Sequence, residues 1–539
     1  MRASEAAILW LCSIVALGIC SVLMLSMPAD GLYAGDPGVK LIAAFNAIAH
    51  PGRPLEIDLP RVGDQPVTYV ERFFAVHGDH AHALQSPVFP LIAAPFIAAW
   101  GLRGAYLLPL ASFVAMLPLL AIIRRRSNPE TAVWLLVFIA VAANPVFFYA
   151  LEFWEHVPAT ALLAAATALS IGQPTHSGSG LYRLMVAGVV AGLAIAMRPE
   201  ALWYALVLFA MVVRSLQQAV ATGLGLLISL GAFAVANYAH SGNPLGPHAA
   251  ANLAPLGHEW GSMRLYLLQN WLAPSTLLAG SGLIVIGVAH ASRPFGLRLV
   301  DRQVISLCGA AMITFAAASG HLRRETIWNA WPMFGLLLAP GVHRWRGLWP
   351  LALLPMAMVI LTAPHDGGAQ WGPRFLLIAT PALVLLAAAA AQQLLRGDPA
   401  WRKTRTVLVC LILLGGAFVS RNAFRELRGA KRYYSQLVAA AEAQIPSGGY
   451  ALTNVWWFDQ ITAPLYGRHT VLFAESERDY RAAVADIARA GVSDVTLVSS
   501  REDQTSAQYH QWIQNTCIRI VSKSSIPERL IEFERAACE

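Results

Sequence analysis

Asp36 stands shortly past the first apolar run of the chain, in Gly35-Asp-Pro-Gly38. An ionised carboxylate just outside a bilayer, at the mouth of a bundle of apolar helices, is placed to take a proton from a hydroxyl group as a general base. Read only locally, Asp-Pro-Gly is also an ordinary helix entry, with Asp36 capping a helix that starts near Val39. A second group is Glu152, Glu155 and His156, in Glu152-Phe-Trp-Glu-His156. Carboxylates at a membrane border are costly and usually serve a function, though they also suit the start of a helix. A third is His365-Asp-Gly-Gly-Ala-Gln-Trp-Gly-Pro-Arg-Phe375, whose glycines and proline impose an irregular backbone from which Trp371 and Arg374 project. A guanidinium there suits a phosphate better than an ammonium would, because its planar fork binds two oxygens. Arg323 and Arg324 are the next phosphate candidates, followed by Arg198 and Arg264. His77, Asp79, His80 and His82 have metal-ligand chemistry but no metal-site spacing, so no metal ligand is assigned.

The elements that must carry these residues are membrane helices. Of 539 residues, 56% are hydrophobic and 13% charged, where a soluble protein carries roughly a quarter charged. Apolar runs recur from Ala6 to Ser420 and divide into about thirteen spans, among them 184–197, 201–213, 327–342, 375–395 and 406–420. The predicted class is a polytopic α-helical membrane protein with a small C-terminal soluble α/β domain. The net charge of +8 is spread between apolar runs as membrane topology requires, which argues against nucleic acid. Arg124–Arg126, Arg183, Arg214, Arg298, Arg302, Arg344, Arg346, Arg402 and Arg405 fall in alternate loops, with few acids beyond Glu130, Asp301 and Asp398. The bias places the N-terminus in the cytoplasm and the C-terminus outside. If 184–213 were one broken helix around Arg198-Pro-Glu200, everything downstream would invert, against the charge rule. The run Ala6–Met27 exceeds a signal-peptide core and reads as a retained anchor.

The expected domains are a transmembrane domain over 1–420, a linker helix over 421–446 and an outer α/β domain over 447–539. The transmembrane domain includes a long first outer loop, 28–103, with surface helices. Within the last domain, Ser476-Glu-Arg-Asp479 is a capping box opening a helix that ends at Gly491, and Val495–Val498 is a strand. Four of the six cysteines lie in apolar runs; Cys517 and Cys538 lie in the tail, where a disulfide between them is open. No two-fold repeat is evident, which disfavours a secondary transporter.

In order and topology these features resemble the GT-C superfamily of membrane glycosyltransferases, in particular the bacterial branch that includes dolichyl-phosphate-mannose mannosyltransferase-like and aminoarabinose-transferase-like proteins. The features are Gly35-Asp-Pro-Gly38 with a helix over Val39–Ala49, Ser86-Pro-Val-Phe-Pro90, Arg198-Pro-Glu200 and Gly372-Pro-Arg-Phe375. The resemblance covers 1–420. Many relatives carry Asp-Glu or Asp-x-Asp at the first acidic site, whereas here Asp36 is followed by Pro37. That leaves Asp36 alone and disfavours a divalent metal without closing the question; no other cofactor is implied.

The resemblance implies a bacterial inner-membrane enzyme with its active site on the periplasmic face. It would move a sugar from a polyprenyl-phosphate donor to a lipid, polysaccharide or protein acceptor, with inversion. Asp36 would be the base, and Arg374, helped by Arg323 or Arg324, would bind the donor phosphate. Glu152, Glu155, His156, Arg198 and Trp371 would line the acceptor site or cavity. The alternatives are a flippase for lipid-linked oligosaccharide, which needs no base, and a polysaccharide polymerase.

Overall fold

Long runs of Leu, Ala, Val and Ile without charge form helices because straight-chain and small side chains lose little freedom there, and because every backbone group is satisfied within the helix. In the computed structural model, seven helices of the described residues are long and apolar enough to cross a membrane. They are Glu5–Leu25, Val88–Ser127, Ser179–Met197, Leu216–Ser241, Leu299–Ala318, Arg374–Arg396 and Arg402–Gln444. Gly261–Leu272 and Leu277–Ala291, bent by 89°, make an eighth if they are one span. Four shorter apolar helices accompany them: Val133–Ala142, His156–Ser170, Ala201–Val212 and Trp349–Thr362. The chain is a multi-pass membrane protein. The structure describes residues 3–172, 178–247, 260–342, 347–368, 370–397, 399–500, 511–512, 516, 518–525 and 531–538. Arg344, Arg346, Asp398 and Cys517, and with Cys517 the open disulfide, lie outside them.

Three elements differ from the sequence reading. The stretch 327–342 is not a span: Ile327–Ala330 and Phe334–Leu337 are separate short helices, because Pro332 lacks the N–H a continuing helix needs. The apolar run 406–420 and the linker helix 421–446 are one helix, Arg402–Gln444. Loss of apolarity past Ser420 does not end a helix whose Arg and Lys residues keep good helix propensity. Asp36 does not precede its helix but begins it, Asp36–Ala49, with Gly35 at the N-cap position and no side-chain cap bond. By contrast, 184–213 is two helices, Gly178–Met197 and Ala201–Val212, broken at Arg198-Pro-Glu200.

The chain forms two compact units. The first comprises 1–26, 106–233 and 252–428, and the second 27–105, 234–251 and 429–539. In the first, helices pack through small residues. A Cβ on Gly282 would lie 2.6 Å from the Gly309 carbonyl oxygen, and one on Gly309 would lie 2.4 Å from that of Gly282. Helices Leu277–Ala291 and Leu299–Ala318 therefore cross backbone to backbone, as small residues allow in membranes.

The second unit joins the first long loop to the tail. Its loop strands are β1 Ile57–Asp58, β2 Arg61–Val62, β3 Gln65–Pro66, β4 Phe74–His77 and β5 His80–Ala83. The tail contributes β6 Tyr450–Thr453, β7 Thr470–Phe473, β8 Asp494–Ser500, β9 Ile518–Ser525 and β10 Ile531–Cys538. These form a mixed sheet in the order β7-β6-β8-β10-β9, with β6 parallel to β7 and β8 and the remaining pairs antiparallel. The capping box at Ser476 and Asp479 is present and opens Glu477–Arg489. That helix packs Tyr480, Ala483 and Ile487 on Leu452, Leu472 and Leu497, together with Val62 and Val67 of the first loop. On the other sheet face, Leu437, Val438 and Ala441 of the long helix pack with Phe458, Ile461, Val498 and Phe533. Alternation along β8 sends Leu497 to one cluster and Val498 to the other.

Candidate functional site

In the first unit, polar residues singled out in the sequence form a buried cluster. Glu152, Glu155 and His156 are 0%, 4% and 3% exposed. Pro199 disfavours helical backbone at Arg198, which ends the preceding helix and frees the guanidinium to bridge two carboxylates. Its Nη1 donates to Glu155 Oε1 at 2.9 Å and its Nε to Glu200 Oε1 at 2.7 Å. A buried cation held this way keeps its charge, because removing either acid would strand it.

The loop before Arg374 is shaped by glycines that other residues cannot replace. Gly367 has φ +100°, and a Cβ there would sit 3.0 Å from Arg374 Nε. Gly372 has φ +67°, and its Cβ would meet the Ala330 side chain at 2.3 Å. Gln370 stabilises the loop: its Oε1 accepts from Arg374 N at 3.2 Å and its Nε2 donates to the Asp366 carbonyl at 2.5 Å. Arg374 then opens the 3₁₀ turn Arg374–Ala379 and is buried. Its guanidinium lies 5.4 Å from the ring centres of both Trp154 and Phe375. Arg198 approaches the same Phe375 ring at 5.2 Å. Each such contact contributes roughly 0.5–2 kcal/mol.

Tyr149 ties the loop to the Glu152–His156 segment. Its hydroxyl donates to the Trp371 carbonyl at 3.0 Å and accepts from Trp371 N at 3.2 Å. Its ring lies 5.1 Å from that of Trp154 and 5.2 Å from that of His156. Tyr149→Phe strips Trp371 N of this acceptor in a buried site. Destabilisation of about 1–3 kcal/mol is expected, read as a lowered midpoint in thermal unfolding of the detergent-solubilised protein.

The structure thus brings together Glu155, His156, Arg198, Trp371 and Arg374, with Glu152 accepting from Phe153 N at 3.1 Å beside them. The other two phosphate candidates are occupied differently. Arg323 Nη1 donates to Asn270 Oδ1 at 3.3 Å. Arg324 pairs through its guanidinium with Glu426, and its carbonyl accepts from Gly372 N at 2.7 Å. Arg264 is buried and donates to the carbonyls of Ile360 and Ala363. Sequence reasoning missed Tyr149, Trp154, Gln370 and Phe375. An aromatic run at 147–149 was the one available signal.

Asp36 belongs to the second unit, where its turn is tightly seated. Lys431, buried in the long helix, donates from Nζ to the Gly31 carbonyl at 3.0 Å, and Ser435 Oγ donates to Asp30 Oδ1 at 2.9 Å. Gly35 and Gly38 pack against Gln460. Lys40, four residues past Asp36 and so on the same helix face, is buried. A carboxylate in the first helical turn is favoured in its ionised form by the helix dipole.

Nearby in the same unit, the His-rich segment forms the β4–β5 hairpin. His80 faces Glu56 at 3.6 Å and Asp58 at 3.9 Å, and His82 Nδ1 lies 3.1 Å from the Leu55 carbonyl oxygen. His240 pairs with Glu56 at 3.4 Å, and His50 with Asp58 at 3.2 Å. The imidazoles are thus taken up by carboxylates and backbone. A pocket opens here, lined by Leu55, His82, Gln85, Asn237, His240 and Ser241 among others. Asn237 Nδ2 and Gln85 Oε1 are buried without a hydrogen-bond partner among the described residues.

Glu71 is 1% exposed. Burial pushes its carboxyl from 4.5 up to about 8, against the hydrogen bond from Phe73 N. Asp459 is likewise pushed by burial from 3.8 up to about 7. A carboxyl whose folded value is raised binds more protons folded than unfolded. Its stabilisation is full below the unfolded value and is lost as pH rises to the folded one. Thermal midpoints should therefore fall as pH rises from about 4 to about 8. In Glu71→Gln the part of that fall above about pH 7 should vanish.

No protein-family model matches this chain, and no curated protein matches it in sequence. Its fold does match solved structures over nearly its whole length. The chain is similar to ArnT from Cupriavidus metallidurans in the apo state, with a TM-score of 0.51, 11% identity and 98% of each chain covered. It is also similar to the Archaeoglobus fulgidus oligosaccharyltransferase tethered to an acceptor peptide, with a TM-score of 0.52 and 12% identity, over 95% of this chain and 71% of that one. At such identities the likeness is one of fold.

Proposed function

We propose that the protein is a membrane glycosyltransferase that moves a sugar from a polyprenyl-phosphate donor to an acceptor hydroxyl on the periplasmic side of the inner membrane. The single observation that carries this reading is the buried Arg374, fixed by Gln370 and flanked by Trp154 and Phe375, on a fold similar to that of ArnT. A guanidinium binds two phosphate oxygens with its planar fork, and a lipid-linked phosphate is an anion delivered by the membrane.

The reaction is a displacement with inversion. The acceptor oxygen forms a bond to the anomeric carbon while the bond from that carbon to the phosphate oxygen breaks. The acceptor proton passes to Asp36, and the electron pair leaves with the polyprenyl phosphate. Arg374 stabilises the charge that builds on that phosphate, so no strong acid is needed for the leaving group. Glu155, oriented by Arg198, and His156 shape the cavity. The polar pocket with Asn237 and Gln85 suits an acceptor rich in hydroxyls, since amides both donate to and accept from them.

The test is reconstitution of the purified full-length protein in lipid nanodiscs with a panel of polyprenyl-phosphate sugars and envelope glycan acceptors. Release of free polyprenyl phosphate only when donor and acceptor are both present is the expected result. Donor that stays intact with every acceptor, while lipid-linked sugar crosses the bilayer of proteoliposomes, would replace the enzyme with a flippase.

A further inference from the structure

Resting on the reading of Asp36 as the base, we propose that Gln460, oriented by Glu71, is a positioning residue through which the C-terminal sheet domain fixes the Asp36 turn. Gly35 has ordinary helical backbone, φ −68° and ψ −45°, so it is not there for a left-handed conformation. The reason is space. A Cβ on Gly35 would lie 1.6 Å from Gln460 Oε1, and one on Gly38 would lie 1.7 Å from the Gln460 carbonyl oxygen. One residue of the tail therefore seats both glycines that bracket Asp36-Pro37, with its side chain on one and its main chain on the other.

The seat is itself held. Gln460 is 1% exposed and lies in the helix Phe458–Thr462, whose Phe458 and Ile461 belong to the core under the sheet. Its Nε2 donates to Glu71 Oε2 at 3.1 Å, and the same oxygen accepts from Phe73 N at 2.9 Å. Glu71 thereby decides which way the amide points: nitrogen to the carboxyl, oxygen to Gly35. On the other flank, a Cβ on Gly31 would lie 1.9 Å from the Lys431 carbonyl oxygen, so the turn is also packed against the long helix. Pro37 removes one further backbone freedom. A general base displaced by about 1 Å loses on the order of 10²-fold in rate, so the seat acts on turnover rather than on substrate affinity.

Ionisation links the device to pH. The Glu71 carboxyl, raised to about 8 by burial, is protonated at neutral pH and becomes a buried charge above that value. The charged groups around it are Asp459, which raises it, and Arg72, which lowers it.

The experiment compares variants of the full-length protein in nanodiscs with the donor and acceptor that support turnover. Gln460→Ala should lower kcat by about 10- to 100-fold, with KM for both substrates close to native and the thermal midpoint lowered, because the buried Glu71 loses its hydrogen bond. Gln460→Asn, one methylene shorter, should do the same and serves if the alanine variant does not fold. Glu71→Gln, which keeps an acceptor for Gln460 Nε2, should lower kcat less than Glu71→Ala and remove the change in kcat that Glu71 ionisation brings near pH 8, while Glu71→Ala should behave like Gln460→Ala. In an Asp36→Asn background, Gln460→Ala should cost nothing further, because two residues acting through one step are not additive. Native kcat in Gln460→Ala or Gln460→Asn, with Asp36→Asn inactive, overturns the positioning role and leaves the base in place. Native turnover in Asp36→Asn overturns the base itself.

Discussion

Asp36→Asn is expected to lower kcat by about 10²- to 10⁴-fold, the usual loss when a general base is removed, with the protein folded and its substrates still bound. Asn keeps the size and most of the shape of Asp, so the packing of Gly35 and Gly38 on Gln460 is undisturbed. Asn also loses the favourable meeting of an acid with a helix N-terminus, about 0.3–1 kcal/mol. The helix Asp36–Ala49 has Gly35, not Asp36, at its N-cap position, so no capping bond from that position is lost. A large effect on turnover beside a small effect on unfolding is therefore diagnostic. Asp36→Glu keeps the carboxylate but extends it by one methylene in a turn that cannot shift. A loss of about 10²-fold is expected there too. Kinetics of the reconstituted protein beside thermal unfolding of the same preparations check both.

Arg374→Lys should lose about 10²- to 10³-fold in kcat, the scale seen when a donor to developing charge is removed, and lysine should recover little of it. The ammonium keeps the positive charge but not the plane that lies over Trp154 and Phe375, nor the fork that binds two phosphate oxygens. Arg374→Ala is a poorer probe, because it also empties a buried site and invites collapse of the loop held by Gln370. The split between constants carries the meaning. If Arg374 acts on the leaving phosphate, kcat and kcat/KM fall together; if it only holds the donor, KM rises and kcat stays. Steady-state rates over a range of donor concentration distinguish the two.

What the sequence revealed and what it hid divide by range. The Ser476–Asp479 capping box, the strand at Val495–Val498 and the break at Arg198-Pro199 are local rules, and the structure shows each. The membrane class followed from composition, and the fold from the order of weak motifs along 1–420. The second unit was not legible in the same way. Glu71 and Gln460 are 389 positions apart, and Lys431 and Gly31 are 400 apart. No periodicity or spacing marks such a pair. The glycines around Asp36 looked like turn residues, yet their role is close approach by a distant helix. Glu152, Glu155 and His156 stand in the sequence as costly charges at a membrane border, and only the packing of Glu155 and His156 with Arg198, Tyr149 and Trp154 shows how charge is tolerated there. The continuous helix Arg402–Gln444 was hidden because hydropathy marks where a membrane ends, not where a helix does.

The central claim is transfer of a sugar that depends on the Asp36 carboxylate. Mass spectrometry of envelope glycolipids and polysaccharides from three strains tests it most directly: a deletion, the deletion carrying the native gene, and the deletion carrying Asp36→Asn at equal protein level. One glycan that lacks a single sugar in the deletion, is restored by the native gene and stays incomplete with Asp36→Asn is the predicted result, and it names the substrate. Full restoration by Asp36→Asn would contradict the account, leaving Asp36 a structural residue at a helix entry and moving the flippase reading ahead.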